Sequence, residues 1–424
     1  MSEPVTAIVF GAGGRGMYAY GPYALAHPDE LKVVAVAEPN DERRARFAQM
    51  HAIPEQNQFR TWQEAMTHGK LARALVNCTQ DPLHFDSTKA ALQAGYDVLL
   101  EKPIAPTRDE CVRLVRESEE RGRVLQICHV LRFTSFFSTL YEIVRSGRLG
   151  RLVTVDHREN VSYWHMSHSF VRGNWRNEGL SSPMILAKCC HDLDILAWIL
   201  GEPVQYLNSF GALTHYRIEN APAGAPLRCT DGCPVEATCP WYAPRLYGAM
   251  EGVPPRAGWI VTALGGGDDP QGRWKQLEVS PYGRCVYHCD NDVVDHQVLS
   301  MQFPGDVTVT FTMHGHSDRE GRTLRWDGTR ATLYGDFSEG RPYELRICDH
   351  GSGTVEVLHP ESGESGHGGG DEGLMSAFLR TLRGESVPHR TSARASLESH
   401  LMAFAAEESR HTQQTIDMAA YRRL

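Results

Sequence analysis

Residues 5–16 read VTAIVFGAGGRG, a short apolar run rich in β-branched residues that ends in closely spaced glycines. Such a run predicts a buried strand, and the glycines predict a tight turn that opens a helix. The next apolar run, 31–37, predicts a second strand. Together these segments predict a βαβ unit, which decides the fold class of the N-terminal part of the chain.

Predicted strands and helices continue to alternate to about residue 128. The predicted helices lie at 41–50, 84–94 and 107–121, and the predicted strands at 72–78, 97–100 and 124–128. This rhythm is typical of parallel strands that are covered by helices on both faces. The sequence therefore predicts an α/β protein whose first domain, residues 1–128, is a doubly wound parallel sheet of the Rossmann type.

The pattern changes after residue 128 and predicts a second domain over residues 129–424. A helix at 136–146 leads into longer alternating segments at 152–161, 298–303 and 307–313, with further helices at 185–200, 373–383 and 392–410. Alternating segments predict half-buried strands, so we expect an α/β domain with a large, open, mostly antiparallel sheet. The stretch 214–272 is rich in Pro, Gly and Cys and is interpreted as an insertion over this sheet.

The composition limits the classes of function. A chain of 424 residues with 41% hydrophobic and 22% charged residues has enough apolar material for two folded domains. The net charge of −9 argues against nucleic acid or an anionic membrane as a partner, because both require a basic surface. We find no signal-peptide pattern and no continuous apolar run long enough to span a membrane. Eleven dispersed cysteines are untypical of a secreted disulfide framework, so a cytoplasmic location is expected.

The glycine turn predicts a dinucleotide site. Gly11, Gly13 and Gly16 have the G-x-G-x-x-G spacing, with Gly14 and Arg15 in the same turn. In this motif bare backbone approaches a pyrophosphate at the N-terminus of a helix. Glu38, at the end of the second predicted strand, can accept hydrogen bonds from a ribose diol and would repel a 2′-phosphate. NAD is therefore the predicted cofactor.

Several further motifs follow in order along the chain and carry a family resemblance. They are Asn77-Cys78-Thr79-Gln80-Asp81-Pro82-Leu83-His84, Glu101-Lys102-Pro103, His129-Val130-Leu131-Arg132-Phe133, Asn174-Trp175-Arg176, and His191-Asp192-Leu193-Asp194 before Trp198-Ile199-Leu200-Gly201. With these motifs the chain, from residue 5 to about 201, resembles the Gfo/Idh/MocA family of sugar and inositol oxidoreductases. Beyond residue 201 the likeness is only one of general pattern.

The resemblance implies a cleft between a Rossmann domain and a C-terminal α/β domain whose open sheet often serves as a dimer surface. It implies that Lys102 and His191 surround the carbon that exchanges hydride with the nicotinamide. Because alcohol oxidation also releases a proton, an amine or an imidazole must lie within reach of the hydroxyl. The other residues that the resemblance places near the cofactor are Thr79, His84, Glu101, Trp175 and Arg176. Glu101 either holds Lys102 in place or forms a simple ion pair.

One position departs from the family pattern. Many relatives carry an aspartate four residues before the helix histidine, and here that position is Ala187, followed by Lys188. On a continuous helix Lys188 and His191 would share a face, which would bring a cation into the substrate pocket. Alternatively, Lys188 forms an exposed salt bridge with Asp192, four residues on. In the first case the substrate carries an anionic group, and Arg132, Arg176, His165 and His168 are further candidates to bind it.

Two other local patterns yield candidates. Trp164, His165 and His168 lie in a loop after the first strand of the second domain, where they either contact the substrate or serve only in packing. Cys229, Cys233 and Cys239 stand close together within the insertion, with Cys285, His288 and Cys289 downstream. Three thiolates and one of these residues could form a tetrahedral structural Zn²⁺ site, although free buried thiols are the alternative.

Three functions are consistent with the sequence. The first is an NAD(H)-dependent oxidoreductase that acts on a secondary hydroxyl of a sugar, cyclitol or glycoside. The second is a redox-neutral NAD-dependent glycoside hydrolase that works through transient sugar oxidation and elimination. The third is a non-catalytic regulator that senses sugar or NAD, against which the presence of both Lys102 and His191 argues. In each case we expect a carbohydrate ligand and a homodimer or homotetramer formed through the C-terminal sheet.

Overall fold

The chain folds around two β-sheets. The structure is a computed structural model that describes residues 3–363, 367–388 and 391–423. One sheet has six strands and the other has nine, and the two meet in a common interdomain region. This is the α/β architecture that the sequence predicts.

The first sheet is parallel and has the strand order β3-β2-β1-β4-β5-β6. Its strands are β1 Val5–Phe10, β2 Leu31–Ala37, β3 Gln58–Phe59, β4 Ala74–Asn77, β5 Asp97–Leu100 and β6 Leu125–Ile127. All residues of β4 and β5 are buried, as expected for a sheet covered on both faces. This order brings the carboxyl ends of β1, β2, β4 and β5 to one edge, where a doubly wound sheet binds its ligand.

Helices connect these strands. They are Gly21–Ala26, Asp41–Met50, Trp62–Thr67, His84–Gln93 and Arg108–Glu120. Capping side chains fix three of the helix starts: Asn40, Thr61 and Thr107 each accept a hydrogen bond from the backbone N–H three residues later. The helix predicted directly after the glycine turn begins instead as a π-helical segment, Gly16–Tyr20. Strand β3 and helix Trp62–Thr67 were not predicted, because both are short.

The second sheet has the strand order β14-β13-β12-β11-β7-β10-β9-β8-β15. Its strands are β7 Leu152–Ser162, β8 Tyr206–Ala212, β9 His296–Phe303, β10 Val307–Ser317, β11 Gly321–Gly328, β12 Ala331–Ser338, β13 Glu344–Asp349, β14 Val355–Leu358 and β15 Ile416–Asp417. Only β7 and β10 pair in parallel among these neighbours. The prediction of a large, mostly antiparallel sheet is confirmed.

The second part of the chain also contains helices. They are Ser135–Arg145, Tyr163–His165, the π-helical segment Met166–Arg172, Met184–Ala187, Cys190–Leu200, Ala243–Leu246, Gly258–Leu264, Pro270–Val279, Gly370–Leu382, Ala393–Thr412 and Met418–Tyr421. The single helix predicted at 185–200 is divided: one piece ends at Ala187 and the next begins at Cys190. Lys188 and His191 therefore do not lie on one continuous helix.

The last helices extend across the predicted domain boundary. Helix Gly370–Leu382 buries Leu374, Met375 and Phe378 in the core of the first domain. Just before the final long helix, the backbone carbonyl of Thr391 accepts a hydrogen bond from the N–H of Ile127 in β6. The boundary at residue 128 therefore separates the two sheets, whereas the packing of the first domain also uses residues from the end of the chain.

Several strands of the nine-stranded sheet carry exposed apolar side chains. Val153 on β7, Tyr206 and Phe210 on β8, and Val355 on β14 are each more than a third exposed. Association of two or four copies through this sheet stays a prediction. Within the described residues, no helix combines the length and the apolar character needed to cross a membrane.

Candidate active site

The glycine turn has the geometry that a bound pyrophosphate requires. Gly11 has a φ of +84°, and a Cβ there would lie 2.5 Å from the carbonyl oxygen of Cys78. A Cβ at Gly16 would lie 2.1 Å from the carbonyl oxygen of Gly11. A Cβ at Gly13 or Gly14, in contrast, would meet nothing within 4 Å. Gly11 and Gly16 are thus needed for the turn itself, whereas Gly13 and Gly14 leave bare backbone beside open space.

Glu38 completes the cofactor side of the cleft. It follows β2, is 5% exposed, and accepts hydrogen bonds from the backbone N–H groups of Ala12 at 2.8 Å and Asn40 at 3.0 Å. The carboxylate is therefore fixed against the glycine turn. Each carboxylate oxygen can accept a further hydrogen bond, as binding of a ribose diol requires. The residues present fit an NAD molecule, with Gly13 at the pyrophosphate and Glu38 at the ribose.

Arg15 has a different role from the predicted cofactor contact. Its guanidinium lies 2.6 Å from Glu101 and 2.5 Å from Asp371, in the first turn of helix Gly370–Leu382. Tyr20 also donates a hydrogen bond to Glu101 at 2.5 Å. Burial alone would raise the pKa of Glu101, but the charges of Arg15 and Lys102 outweigh it and hold that pKa below its usual value. The Arg15 side chain thus joins the glycine turn to β5 and to the C-terminal helix.

His84 and Thr79 position the backbone around Lys102. The two ring nitrogens of His84 lie 2.6 Å from the carbonyl oxygen of Pro103 and 3.0 Å from that of Thr79. The Thr79 hydroxyl donates to the side chain of Asn77 at the end of β4. The Lys102–Pro103 peptide bond is cis. His84 is 1% exposed and acts on the cleft through the loop that it holds, so direct contact with the cofactor stays a prediction for Thr79 alone.

Lys102 reaches from the first domain to the second. Its ammonium donates a hydrogen bond of 2.7 Å to the carbonyl oxygen of Ala187, four residues before His191. The His191 ring packs edge-on against the ring of His129, with 5.7 Å between centroids. Burial, together with the charges of Arg132 and Lys102, lowers the pKa of His129 well below its usual range, so this imidazole is neutral. Lys102 thus contacts the backbone four residues before His191, and the approach of the two side chains to one substrate stays a prediction. The backbone N–H of Lys102, rather than its ammonium, contacts Glu101.

Asp81 ties the second domain to this edge of the first sheet. Its carboxylate accepts hydrogen bonds from the indole of Trp175 at 3.1 Å and from the hydroxyls of Ser181 and Ser182 at 3.0 Å each. Trp175 is therefore held against Asp81, which follows β4, and its contact with the cofactor stays a prediction. The guanidinium of Arg176 is bound to Asp290, with a shortest distance of 2.8 Å. Asp81 was not singled out from the sequence, although it stands inside a quoted motif.

Lys188 lies between two carboxylates, with 14% of its side chain exposed. Its ammonium lies 3.1 Å from Glu159 on β7 and 2.9 Å from Glu320, which precedes β11. Burial alone would lower the pKa of Lys188, but these two carboxylates outweigh it and raise that pKa. Both earlier interpretations are corrected: Lys188 does not pair with Asp192, and its charge is already balanced within the protein. Glu320 also lies 2.9 Å from His165, a pairing across 155 positions that no local pattern predicts.

The network continues behind Lys188 through a second cation. Arg322 lies 2.6 Å from Glu159 and 3.0 Å from Asp192, and His157 lies 2.9 Å from Asp192. All four side chains are at least nine-tenths buried. Burial raises the pKa of Glu159 to about 7 against the opposing charges of Arg322 and Lys188. The network thus contains three buried carboxylates and two cations, namely Glu159, Asp192 and Glu320 with Lys188 and Arg322. Of the carboxylates, Glu159 is the one that can take up a proton near neutral pH.

The remaining predicted substrate residues form an aromatic wall. Trp164 is 8% exposed, and its ring lies 5.6 Å from that of Trp259 in the insertion. His168 stacks on Tyr282 with 4.5 Å between centroids, and its Nδ1 lies 2.6 Å from the hydroxyl of Tyr247. Burial lowers the pKa of His168 to about 3. Trp164 and His168 therefore serve mainly in packing, and His165, which lies at the edge of the wall, is the better candidate for a substrate contact.

Arg132 does not lie free in the cleft. Its guanidinium forms two hydrogen bonds with Asp194, at 2.7 and 2.5 Å, and stands over the ring of Trp198. Both charged groups are at least nine-tenths buried. The predicted contact of Arg132 with substrate is therefore corrected: the arginine joins the loop after β6 to helix Cys190–Leu200 and positions that helix.

The cysteines of the insertion have free thiols, as do the other cysteines of the chain. Among the described residues, no three of their sulfur atoms lie within 4.8 Å of one another. In their present positions the sulfur atoms of Cys229, Cys233 and Cys239 are therefore not all as close together as the ligands of a bound zinc would be. One group of potential ligands does meet this distance, Glu178, Glu407 and His411, but Arg410 forms ion pairs with both of its carboxylates.

Comparison with known proteins supports the same architecture. Residues 5–129 match the oxidoreductase-family NAD-binding Rossmann fold, and residues 142–418 match the oxidoreductase-family C-terminal alpha/beta domain. The oxidoreductase YteT of Bacillus subtilis is 24% identical over 351 residues, which cover 78% of this chain and 77% of YteT. Inositol 2-dehydrogenase 2 of Saccharopolyspora erythraea is 32% identical over 133 residues, which cover 31% of this chain and 36% of that enzyme.

Solved structures of low sequence identity share the whole fold. A levoglucosan dehydrogenase in complex with NADH and levoglucosan aligns with a TM-score of 0.72 at 15% identity, over 98% of this chain and 99% of that one. The WlbA dehydrogenase of Bordetella pertussis, in complex with NADH and UDP-GlcNAcA, aligns with a TM-score of 0.67 at 16% identity, over the same shares. Because the two domain matches together span most of its length, the chain belongs to the Gfo/Idh/MocA family of oxidoreductases.

Proposed function

We propose that this protein is an NAD(H)-dependent dehydrogenase that acts on a secondary hydroxyl of an uncharged sugar or cyclitol. The observation that carries the proposal is the position of Lys102. Its ammonium extends from the cofactor-binding edge of the first sheet to Ala187 in the second domain, beside the segment that bears His191. This contact supports the proposal that an amine and an imidazole from different domains act on the same substrate hydroxyl.

Lys102 keeps hydrogen-bonding capacity for a substrate. An ammonium has three N–H donors, and one of them is used by the carbonyl oxygen of Ala187. No carboxylate of the described residues forms an ion pair with it at 4.0 Å or less. A backbone carbonyl fixes the amine without cancelling its charge, so Lys102 can bind the substrate oxygen and stabilise negative charge on it. His191 is the second group proposed to accept or return the hydroxyl proton.

Bound NAD⁺ would supply the hydride acceptor for this reaction. The chain's own contribution on that side is the bare turn at Gly13 and the fixed carboxylate of Glu38. Because a carboxylate at the ribose repels a 2′-phosphate, we infer a preference for NAD over NADP. The Trp175–Asp81 hydrogen bond would hold the two domains around the bound dinucleotide.

The charges around the cleft favour an uncharged substrate. The three cations that the sequence offered for an anionic group, Arg132, Arg176 and Lys188, are each bound to a carboxylate. A substrate anion would have to displace a buried or bidentate partner, which is costly. Inositol dehydrogenases among the partial-length relatives support a polyol as the substrate class.

The test is a panel of inositols, neutral sugars, uronates and aryl glycosides, assayed with NAD⁺ and with NADP⁺. NADH formation and aglycone release are measured in parallel. We expect NADH from a neutral polyol, a smaller rate with NADP⁺, and a loss of kcat of about 100-fold or more in Lys102→Met. Lys70→Met is the matched control, because Lys70 is an exposed lysine of the same domain that also donates to a backbone carbonyl.

Three results would contradict the proposal. Release of aglycone without net NADH would favour the redox-neutral glycoside hydrolase. Unchanged turnover in Lys102→Met would remove this lysine from the reaction. Binding of NAD and sugar with no turnover of any kind would favour a regulator.

A further inference from the structure

Four cysteine side chains, three from the insertion and one from downstream of it, line one small cavity. Cys229, Cys233 and Cys239 come from the segment after β8, and Cys285 comes from the segment before β9. A short antiparallel bridge brings the two segments together: the N–H of Cys229 donates to Gly283 and the N–H of Cys285 donates to Leu227, each at 2.9 Å. The backbone thus places the fourth thiol beside the first.

The structure distinguishes Cys285 from the two other candidates for a fourth position. The Nε2 atom of His288 lies 3.2 Å from the carbonyl oxygen of Ala225. The thiol of Cys289 donates a hydrogen bond of 3.3 Å to the carbonyl oxygen of Cys285. Neither side chain lines the cavity, whereas Cys285 does.

A buried arginine faces the same cavity. Arg172, which ends the π-helical segment, is fully buried. Its Nε donates to Arg284 at 2.7 Å and its Nη2 donates to Trp241 at 2.8 Å, both backbone carbonyls, and Nη2 lies 3.7 Å from the sulfur of Cys229. Among the described residues, Nη1 has no hydrogen-bond partner and no carboxylate pairs with the guanidinium.

The buried guanidinium of Arg172 is independent evidence that a negatively charged group binds in this cavity. A buried cation is costly unless an opposite charge lies beside it. Four cysteines line the cavity together with Arg172, and Cys229 lies 3.7 Å from its guanidinium. Cysteines acquire negative charge when they bind a metal ion as thiolates. A cation already in place favours that ionised form.

We propose that Cys229, Cys233, Cys239 and Cys285 bind one Zn²⁺ in a tetrahedral site and that Arg172 is its counter-cation. Four thiols release four protons to solvent, four Zn–S bonds form, and no electron is transferred. The tetrathiolate complex has a net charge of −2, which Arg172 partly balances. Sulfurs at about 2.3 Å from zinc stand about 3.8 Å apart, so binding draws the side chains inward from their present wider spacing.

Such a site explains how the insertion is held in place. The stretch from residue 214 to the start of β9, which includes the insertion, has three α-helices and only a small core of its own, to which Cys229 and Cys233 belong. The same stretch contains Trp259 and Tyr282, which contact His165 and His168 at the substrate side of the cleft. Zinc would fix the two cysteine segments to each other and to the π-helical segment through Arg172, independently of any reaction in the cleft.

The first measurement is the metal content of protein purified from zinc-supplemented medium without a metal-affinity step. We expect about one zinc per chain in the wild type. We expect at least a five-fold lower content in Cys239→Ser and in Cys285→Ser. Cys348→Ser is the control, because Cys348 lies on β13 and does not line the cavity. Its zinc content should equal that of the wild type.

A second measurement does not depend on the variants being folded. Replacement of the metal in the wild type by Co²⁺ should give the thiolate-to-cobalt absorption and the visible bands of a tetrahedral sulfur site. Absence of zinc and of these bands in the wild type would overturn the proposal. So would iron in place of zinc, or zinc that persists in both cysteine variants, as it would at the Glu178, Glu407 and His411 group.

Discussion

The two sides of the cleft are constructed from different kinds of interaction. On the cofactor side, the shape depends on backbone: Gly11 and Gly16 allow a close approach of chain segments, and Glu38 is fixed by backbone N–H groups. On the substrate side, the shape depends on buried charges, with Lys188 held between Glu159 and Glu320. The first side is specified by local sterics and the second by pairings between residues far apart in the chain.

This difference predicts different responses to substitution. A site built from backbone fails where an added methyl group would collide with a neighbouring atom. At positions where the methyl group meets nothing, the fold should not change. A charge-built site fails when one partner is removed, because the others are left buried and unpaired. Substitutions on each side can therefore test whether the two descriptions are correct.

The largest effect is expected in the glycine turn. Gly11→Ala should lower the free energy of unfolding by about 3 kcal/mol, because of the positive φ and the contact with Cys78, and should abolish NAD binding. Gly13→Ala should unfold like the wild type, since its Cβ meets nothing, yet bind NAD about 10- to 100-fold more weakly. Urea unfolding and calorimetry measure the two quantities. Wild-type NAD affinity in Gly13→Ala would mean that the pyrophosphate lies elsewhere.

The next effect concerns the charge network. Lys188→Met should lower the free energy of unfolding by about 3 kcal/mol, because Glu159 and Glu320 lose their shared cation. The double variant Lys188→Met/Glu320→Gln should cost at least about 1 kcal/mol less than the sum of the single variants. Lys275→Met, at an exposed lysine of helix Pro270–Val279, is the control and should change stability by about 0.5 kcal/mol or less. Additive losses would show that the buried charges do not depend on one another.

The same difference explains what the sequence predicts well. The bounds of β1, β2 and β5 follow from apolar runs bounded by turn residues, and the structure has the same bounds. Glycine spacing and Glu38 are likewise local signals, because a turn geometry depends on adjacent residues. Lys102 and His191 came from the family resemblance, and the structure places both at the junction of the two domains.

Long-range pairings were not predictable in this way. Lys188 and Glu320 are 132 positions apart, and Arg132 and Asp194 are 62 apart. A charged residue has no periodicity that identifies its partner, so Arg132 and Lys188 both looked available to a substrate. Strands β8 and β11 to β14 were not named individually from the sequence, and which strands pair with which follows only from the sheet itself.

The smallest effect is expected at Glu178, where a carboxylate is only partly compensated. Burial and the nearby Glu407 and Asp292 raise its pKa to about 7, although Arg410 lies 3.3 Å away and opposes this. Because the pKa is higher in the folded state than in the unfolded chain, ionisation of Glu178 destabilises the fold. The loss begins as pH rises above about 4.5, the ordinary value for glutamate, and is complete above about pH 7.

Glu178→Gln should therefore be more stable than the wild type at pH 8 by about 1 kcal/mol, a value reduced because the side chain is 30% exposed. At pH 4.5 the two proteins should be equally stable, or the variant slightly less stable through loss of the contact with Arg410. Thermal unfolding between pH 4.5 and 8, in EDTA to keep cations from Glu407 and His411, measures the difference, with the exposed Glu55→Gln as control. A stability difference that does not change with pH would contradict this prediction. It would mean that the charge of Glu407 does not raise the pKa of Glu178.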